Sequence, residues 1–104
     1  MAKVKPVLGK IRTALKAAKT ELGKDEPAAK LIEGDLDEGL TAIEEFLKAY
    51  KEKKAKIRAP LIKARATLNT CVGIIKDGES IVIIDLLDKA LKATSDADRL
   101  IKAD

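Results

Sequence analysis

Residues 57–75 read IRAPLIKARATLNTCVGII, and this stretch decides the fold. Ile57, Leu61, Ala64, Leu68, Cys71 and Ile75 recur at alternating spacings of four and three, which places them on one stripe of an α-helix rather than one face of a strand. The same stretch carries the chief objection. Pro60 has no amide to donate to the carbonyl of Lys56, and its ring crowds the preceding turn. Two architectures follow. In the expected one, a second helix ends near residue 55 and Pro60 opens a third, giving a compact four-helix bundle. In the alternative, a single helix of about 50 residues kinks at Pro60, and the terminal helices fold back on its two halves.

Downstream, Val72–Ile75 and Ile81–Ile84 flank Lys76-Asp77-Gly78-Glu79, which in isolation signals a β-hairpin. Both runs also lie inside longer helical stripes, and a lone hairpin has little stability. Asp77-Gly78 is therefore read as a helix end, with Ser80 capping a last helix that carries Ile84, Leu87, Leu91, Ala97 and Ile101. Ser95 with Asp98 resembles a capping box, which predicts a break near Thr94.

Upstream, Val4, Leu8, Ile11, Leu15, Ala18 and Leu22 predict a helix over roughly residues 5–22, with Pro6 in its first turn. Gly23 is positioned to end it in the left-handed conformation. Asp25 or Glu26 then caps a second helix with Pro27 in its first turn. Its stripe runs Ile32, Leu36, Gly39 with Leu40, Ile43, Phe46 with Leu47, and Tyr50. Gly39 on the buried side predicts close approach of a neighbouring helix.

Leu, Ile and Val supply 28 of the 104 residues, enough to fold one modest core, so residues 1–104 are read as a single domain. Phe46 and Tyr50 are the only aromatics, which disfavours a sandwich or barrel. The expected class is all-α, a small antiparallel bundle of three or four helices. Cys71 has no cysteine to pair with, and MAKVKPVLGK at the start does not read as a secretory signal. The longest apolar run, around Ile81–Leu87, is far short of the roughly 20 residues that cross a bilayer. A cytoplasmic chain without a membrane span is expected.

Charge is the most organised feature. Counted over residues 1–24, 25–47, 48–76 and 77–104, the net charges are +6, −7, +8 and −3. If sequential helices pack antiparallel, each basic helix lies beside acidic ones, and arrangements that set like charges together are disfavoured.

The residues that do chemistry are mostly missing. The chain has no His, which removes the commonest general base and every imidazole metal ligand. No phosphate-binding glycine motif and no paired-cysteine motif occurs either. No enzymatic activity, cofactor or metal is expected. Asp35-Leu36-Asp37-Glu38-Gly39 only faintly resembles a calcium loop: its glycine comes one place early, and Phe46 stands where a bidentate Glu is required. Asp85 and Asp88 are expected to pair with Lys89 and Lys92 on one helix surface. Cys71, on the stripe, reads as a buried and inert core residue.

Two surfaces remain as binding candidates: an acidic face of Glu33, Asp35, Asp37, Glu38, Glu44 and Glu45, and a basic face of Lys51, Lys53, Lys54, Lys56, Arg58, Lys63 and Arg65. Together they predict a protein-interaction or assembly protein, such as an adaptor, inhibitor, chaperone or component of a larger particle. The partner is another protein or a second copy of the chain. The alternative is non-specific nucleic-acid binding through the Lys-rich segment 51–65. With 17 lysines against four arginines and few aromatics, sequence-specific readout is not expected.

Overall fold

The computed structural model describes residues 4–49, 55–78 and 83–103, and these form four helices: α1 (Val4–Leu22), α2 (Ala29–Ala49), α3 (Ala55–Lys76) and α4 (Ile83–Ala103). Among the described residues there is no strand. Helix α1 packs on α2 and α4, and α3 packs on the same two; no Cα of α1 comes within 8 Å of α3, nor any of α2 within 8 Å of α4. The helices thus enclose a single core in a closed ring. The shape is an elongated prism, 42 × 19 × 18 Å, with a radius of gyration of 13.5 Å, close to the roughly 13 Å of a compact domain this long.

The stripes deliver the core. Leu8, Ile11, Leu15, Ala18 and Leu22 of α1 are buried against Ile32, Leu36, Ile43, Phe46 and Leu47 of α2 and the predicted α3 stripe from Ile57 to Ile75. Gly39 lies in the crowded centre. A Cβ there would stand 3.4 Å from Leu68 Cδ1 and 3.6 Å from Leu15 Cδ2. The neighbours approach as expected, yet a methyl group would fit and only larger side chains would collide.

Several expectations are corrected. Pro60 does not open a helix: it lies inside α3, beyond Ala55, and α2 folds back to pack on α3, with Glu44 bonded to Arg65, so the 50-residue kinked helix does not form; residues 50–54 lie outside the described ones. The carbonyl of Lys56, in the first turn of α3, loses its ladder partner to the proline, since the groups that a helix start leaves unpaired are amides and not carbonyls. Residues 72–76 continue α3, so there is no hairpin; Gly78 takes a left-handed φ of 86° and turns the chain. Gly23 does not adopt that conformation. Its amide bonds to the carbonyls of Lys19 and Thr20 instead. Tyr50, Ser80, Ile81 and Val82 lie outside the described residues.

Helix α2 begins at Ala29 rather than at Asp25 or Glu26, and Pro27 precedes it. The cap comes from the preceding helix. Glu21 is only 7% exposed, and its Oε2 accepts the Ala28 amide at 2.9 Å, while the Ala28 carbonyl accepts the amides of Leu31 and Ile32 in the first turn of α2. Lys24 closes on the other carboxylate oxygen at 2.9 Å. One side chain thereby ties the end of α1 to the start of α2.

Helix α4 runs unbroken through Thr94, whose buried hydroxyl donates to the Ala90 carbonyl at 2.9 Å. The proposed cap at Ser95 is not used; Asp98 instead accepts hydrogen bonds and charge from Arg12 and Lys102. The buried line of α4 is Ile83, Leu87, Ala90, Thr94 and Ala97, with Ile84, Leu91 and Ile101 only partly covered at its edge.

Candidate interaction faces

Ala14 of α1 and Ala42 of α2 are both buried, and neither has a side chain long enough to fill the seam above it. A groove of about 520 Å³ results. Asp37, Glu38 and Glu45 line it from α2, and Lys10 and Thr13 from α1. Lys10 Nζ faces Glu45 Oε2 across the groove at 3.9 Å. The groove therefore carries three carboxylates against one ammonium.

The six acidic residues of the predicted face do not act together. Asp37, Glu38 and Glu45 share the groove. Glu44 turns toward α3, where its Oε1 accepts from Arg65 Nη1 at 2.9 Å. Glu33 and Asp35 are half-buried. Burial, then the charges of Glu38 and Glu21, push the Asp35 carboxyl above its ordinary range.

The seam between α3 and α4 is lined by lysines. Two adjoining hollows of about 310 and 460 Å³ share Lys63, Ala93 and Asp96. Lys89 and Lys92 line the first; Lys56, Pro60 and Leu100 line the second. Among the described residues none of Lys56, Lys63, Lys89 and Lys92 pairs with a carboxylate, and Asp96 is taken by Arg99.

This differs from the basic face read in the sequence. Of its seven residues, Lys56 and Lys63 line the seam, Arg65 is engaged by Glu44, and Arg58 is half-buried with its Nε shielded from solvent. Lys51, Lys53 and Lys54 lie outside the described residues. Lys89 and Lys92 were missed because Asp85 and Asp88 were expected to hold them; Asp88 in fact pairs with Lys19 of α1. Their sequence signal is the spacing of Lys89, Lys92 and Asp96, three and four apart on one side of α4.

Since the helices follow one another around the ring, the α1–α2 groove and the α3–α4 seam lie on opposite sides of the bundle. Two ion pairs fix their heights. Arg12 meets Asp98, and Glu44 meets Arg65, so residues 10–14 of α1 lie level with the last turns of α4, and the end of α2 lies level with the middle of α3.

Cys71 is fully buried, and burial pushes its thiol up to about 11, which leaves it protonated at neutral pH. Among the described residues no three potential metal ligands come together, and no helix is long and apolar enough to cross a membrane. No known protein family, curated protein or solved structure matches the chain.

Proposed function

We propose that the chain is a non-enzymatic interaction or assembly protein, of the adaptor, inhibitor, chaperone or particle-component kind, that meets another protein through its charged grooves. The carrying observation is the pair of seams of opposite sign on opposite sides of one bundle, the acidic one with an alanine floor. A surface evolved only for solubility would intersperse the two signs. The reading takes the helices as antiparallel, which is supported by the ion pairs Arg12–Asp98 and Lys19–Asp88: residue numbers rise along α1 as they fall along α4. It places the protein in the cytoplasm, a compartment that suits one unpaired, buried thiol.

Affinity capture from the native source, with nuclease present, tests this reading. Wild type is expected to retain a protein that is lost from a D37K/E38K/E45K bait or from a K56E/K63E/K89E/K92E bait. Equal retention by all three would sink it.

The four lysines of the α3–α4 seam also support a second reading, non-specific binding of nucleic-acid phosphates. A salt-dependent mobility shift of generic duplex DNA or RNA, abolished by K56E/K63E/K89E/K92E, is its expected signature. Absence of a shift at low salt removes it.

A further inference from the structure

The interaction reading leaves the occupant of the grooves open, and the molecule itself carries the complement of each. We infer that the partner is a second copy of this chain, seated with its α3–α4 seam in the acidic α1–α2 groove. Copies then add side by side in an open, head-to-tail row. The inference rests on the interaction reading and narrows it to one occupant.

Three features fit. Charge matches first: Asp37, Glu38 and Glu45 against Lys10 leave the groove at −2, and Lys56, Lys63, Lys89 and Lys92 against Asp96 leave the seam at +3. Shape matches next. The groove has a floor of Ala14 and Ala42, and the seam offers Leu100, an apolar side chain 37% exposed beside Pro60 and among lysines. Such a side chain, inserted and ringed by ion pairs, has the make-up of an interface anchor.

Position matches last. The two seams lie at overlapping heights on opposite sides, so sliding one copy sideways by the width of the bundle brings seam over groove without rotation. A contact made by translation does not close, and leaves a free groove at one end and a free seam at the other. A face of 42 by 19 Å offers on the order of 800 Å², the share of one partner in an interface of ordinary size.

Sedimentation velocity across a concentration series tests the inference. At low salt the wild-type mass is expected to climb above the 11.2 kDa monomer with concentration. At about 0.5 M salt, where exposed charges are screened within a few ångströms, it should return to the monomer. D37K/E38K/E45K and K56E/K63E/K89E/K92E should each be monomeric, with helical circular dichroism intact, and should associate when mixed, because a reversed groove then meets a reversed seam. Leu100→Gln alters no charge and should raise the apparent dissociation constant at least about tenfold, or 1.4 kcal/mol.

A wild-type protein that is monomeric at millimolar concentration in low salt overturns the inference. If that monomer still retains a foreign protein through these grooves, the interaction reading survives; if it retains none, both fall. Self-association that is unaffected by salt, by both reversals and by Leu100→Gln overturns it as well, as does a monomer whose lysine seam binds generic nucleic acid.

Discussion

Asp35 and Asp98 are both carboxylates on acidic helices, and the fold treats them oppositely. Burial raises Asp35, and the charges of Glu38 and Glu21 raise it further. Burial would raise Asp98 too, but hydrogen bonds from Arg12 and Lys102 outweigh it and hold that carboxyl below its ordinary value. Glu21 is lowered first by the Ala28 amide and then by Lys24. The linkage follows by sign. Glu21 and Asp98 contribute stability that is complete above their unfolded values and is lost as pH falls through the folded ones. Asp35 contributes in the reverse sense: its favourable term is complete below the unfolded value and is lost as pH rises through the folded one, so at neutral pH its charge is a burden. Asp35→Asn is therefore expected to raise the melting temperature at pH 7, and the gain should vanish below about pH 4. Thermal melts of both proteins from pH 3 to 7 check this; a gain that grew on acidification would contradict it. The sequence grouped Asp35 with Asp37 and Glu38 because all are acidic neighbours. Position 35 borders the stripe at Ile32 and Leu36, and only the packed helices show that it is half-covered while the other two face the groove.

Elements were legible wherever one stripe dominated. In α1, α2 and α3 the four-three spacing picked out the buried residues, because a helix can hide only one such line. Helix α4 offers two, since Ile83-Ile84, Leu86-Leu87 and Ala90-Leu91 are adjacent apolar pairs, and the choice between them is made by α1 and α3 rather than by α4. The start of α2 was misplaced for a related reason: the nearest acids, Asp25 and Glu26, invite a local cap, whereas Glu21 supplies it from seven residues before Ala28. Pro60 shows a local rule overridden by its surroundings. Ile57 and Leu61 are buried on either side of it, and their packing holds the helix through the proline. Pro60→Ala restores the amide to the Lys56 carbonyl and relieves the ring, and should raise unfolding free energy by about 1 to 3 kcal/mol. Urea unfolding measures it. An unchanged or lowered midpoint would mean that the packing of the ring beside Leu100 outweighs the missing hydrogen bond.

At the scale of the whole molecule the alternation of charge was the most informative part of the sequence, and it was informative about neighbours rather than about function. Every ion pair between described helices joins a basic helix to an acidic one: Lys10–Glu45, Arg12–Asp98, Lys19–Asp88 and Arg65–Glu44. The candidate grooves were less legible because each is made by two helices, and a linear run such as Lys51–Arg65 cannot reveal that Lys89 and Lys92 complete it. These pairs also select direction, and direction can be tested. Arg12→Glu sets a carboxylate against Asp98, a residue only partly exposed, and is expected to cost about 1 to 2 kcal/mol. Adding Asp98→Arg restores the attraction with the signs exchanged and should recover most of the loss. Adding Asp88→Arg instead should deepen the loss, because that position faces Lys19, a full two turns along α1. Unfolding midpoints of the three variants at low salt decide the matter: if Asp88→Arg were the substitution that rescued Arg12→Glu, α4 would have to run the other way along α1, and the opposed seams on which the proposed assembly depends would no longer stand level.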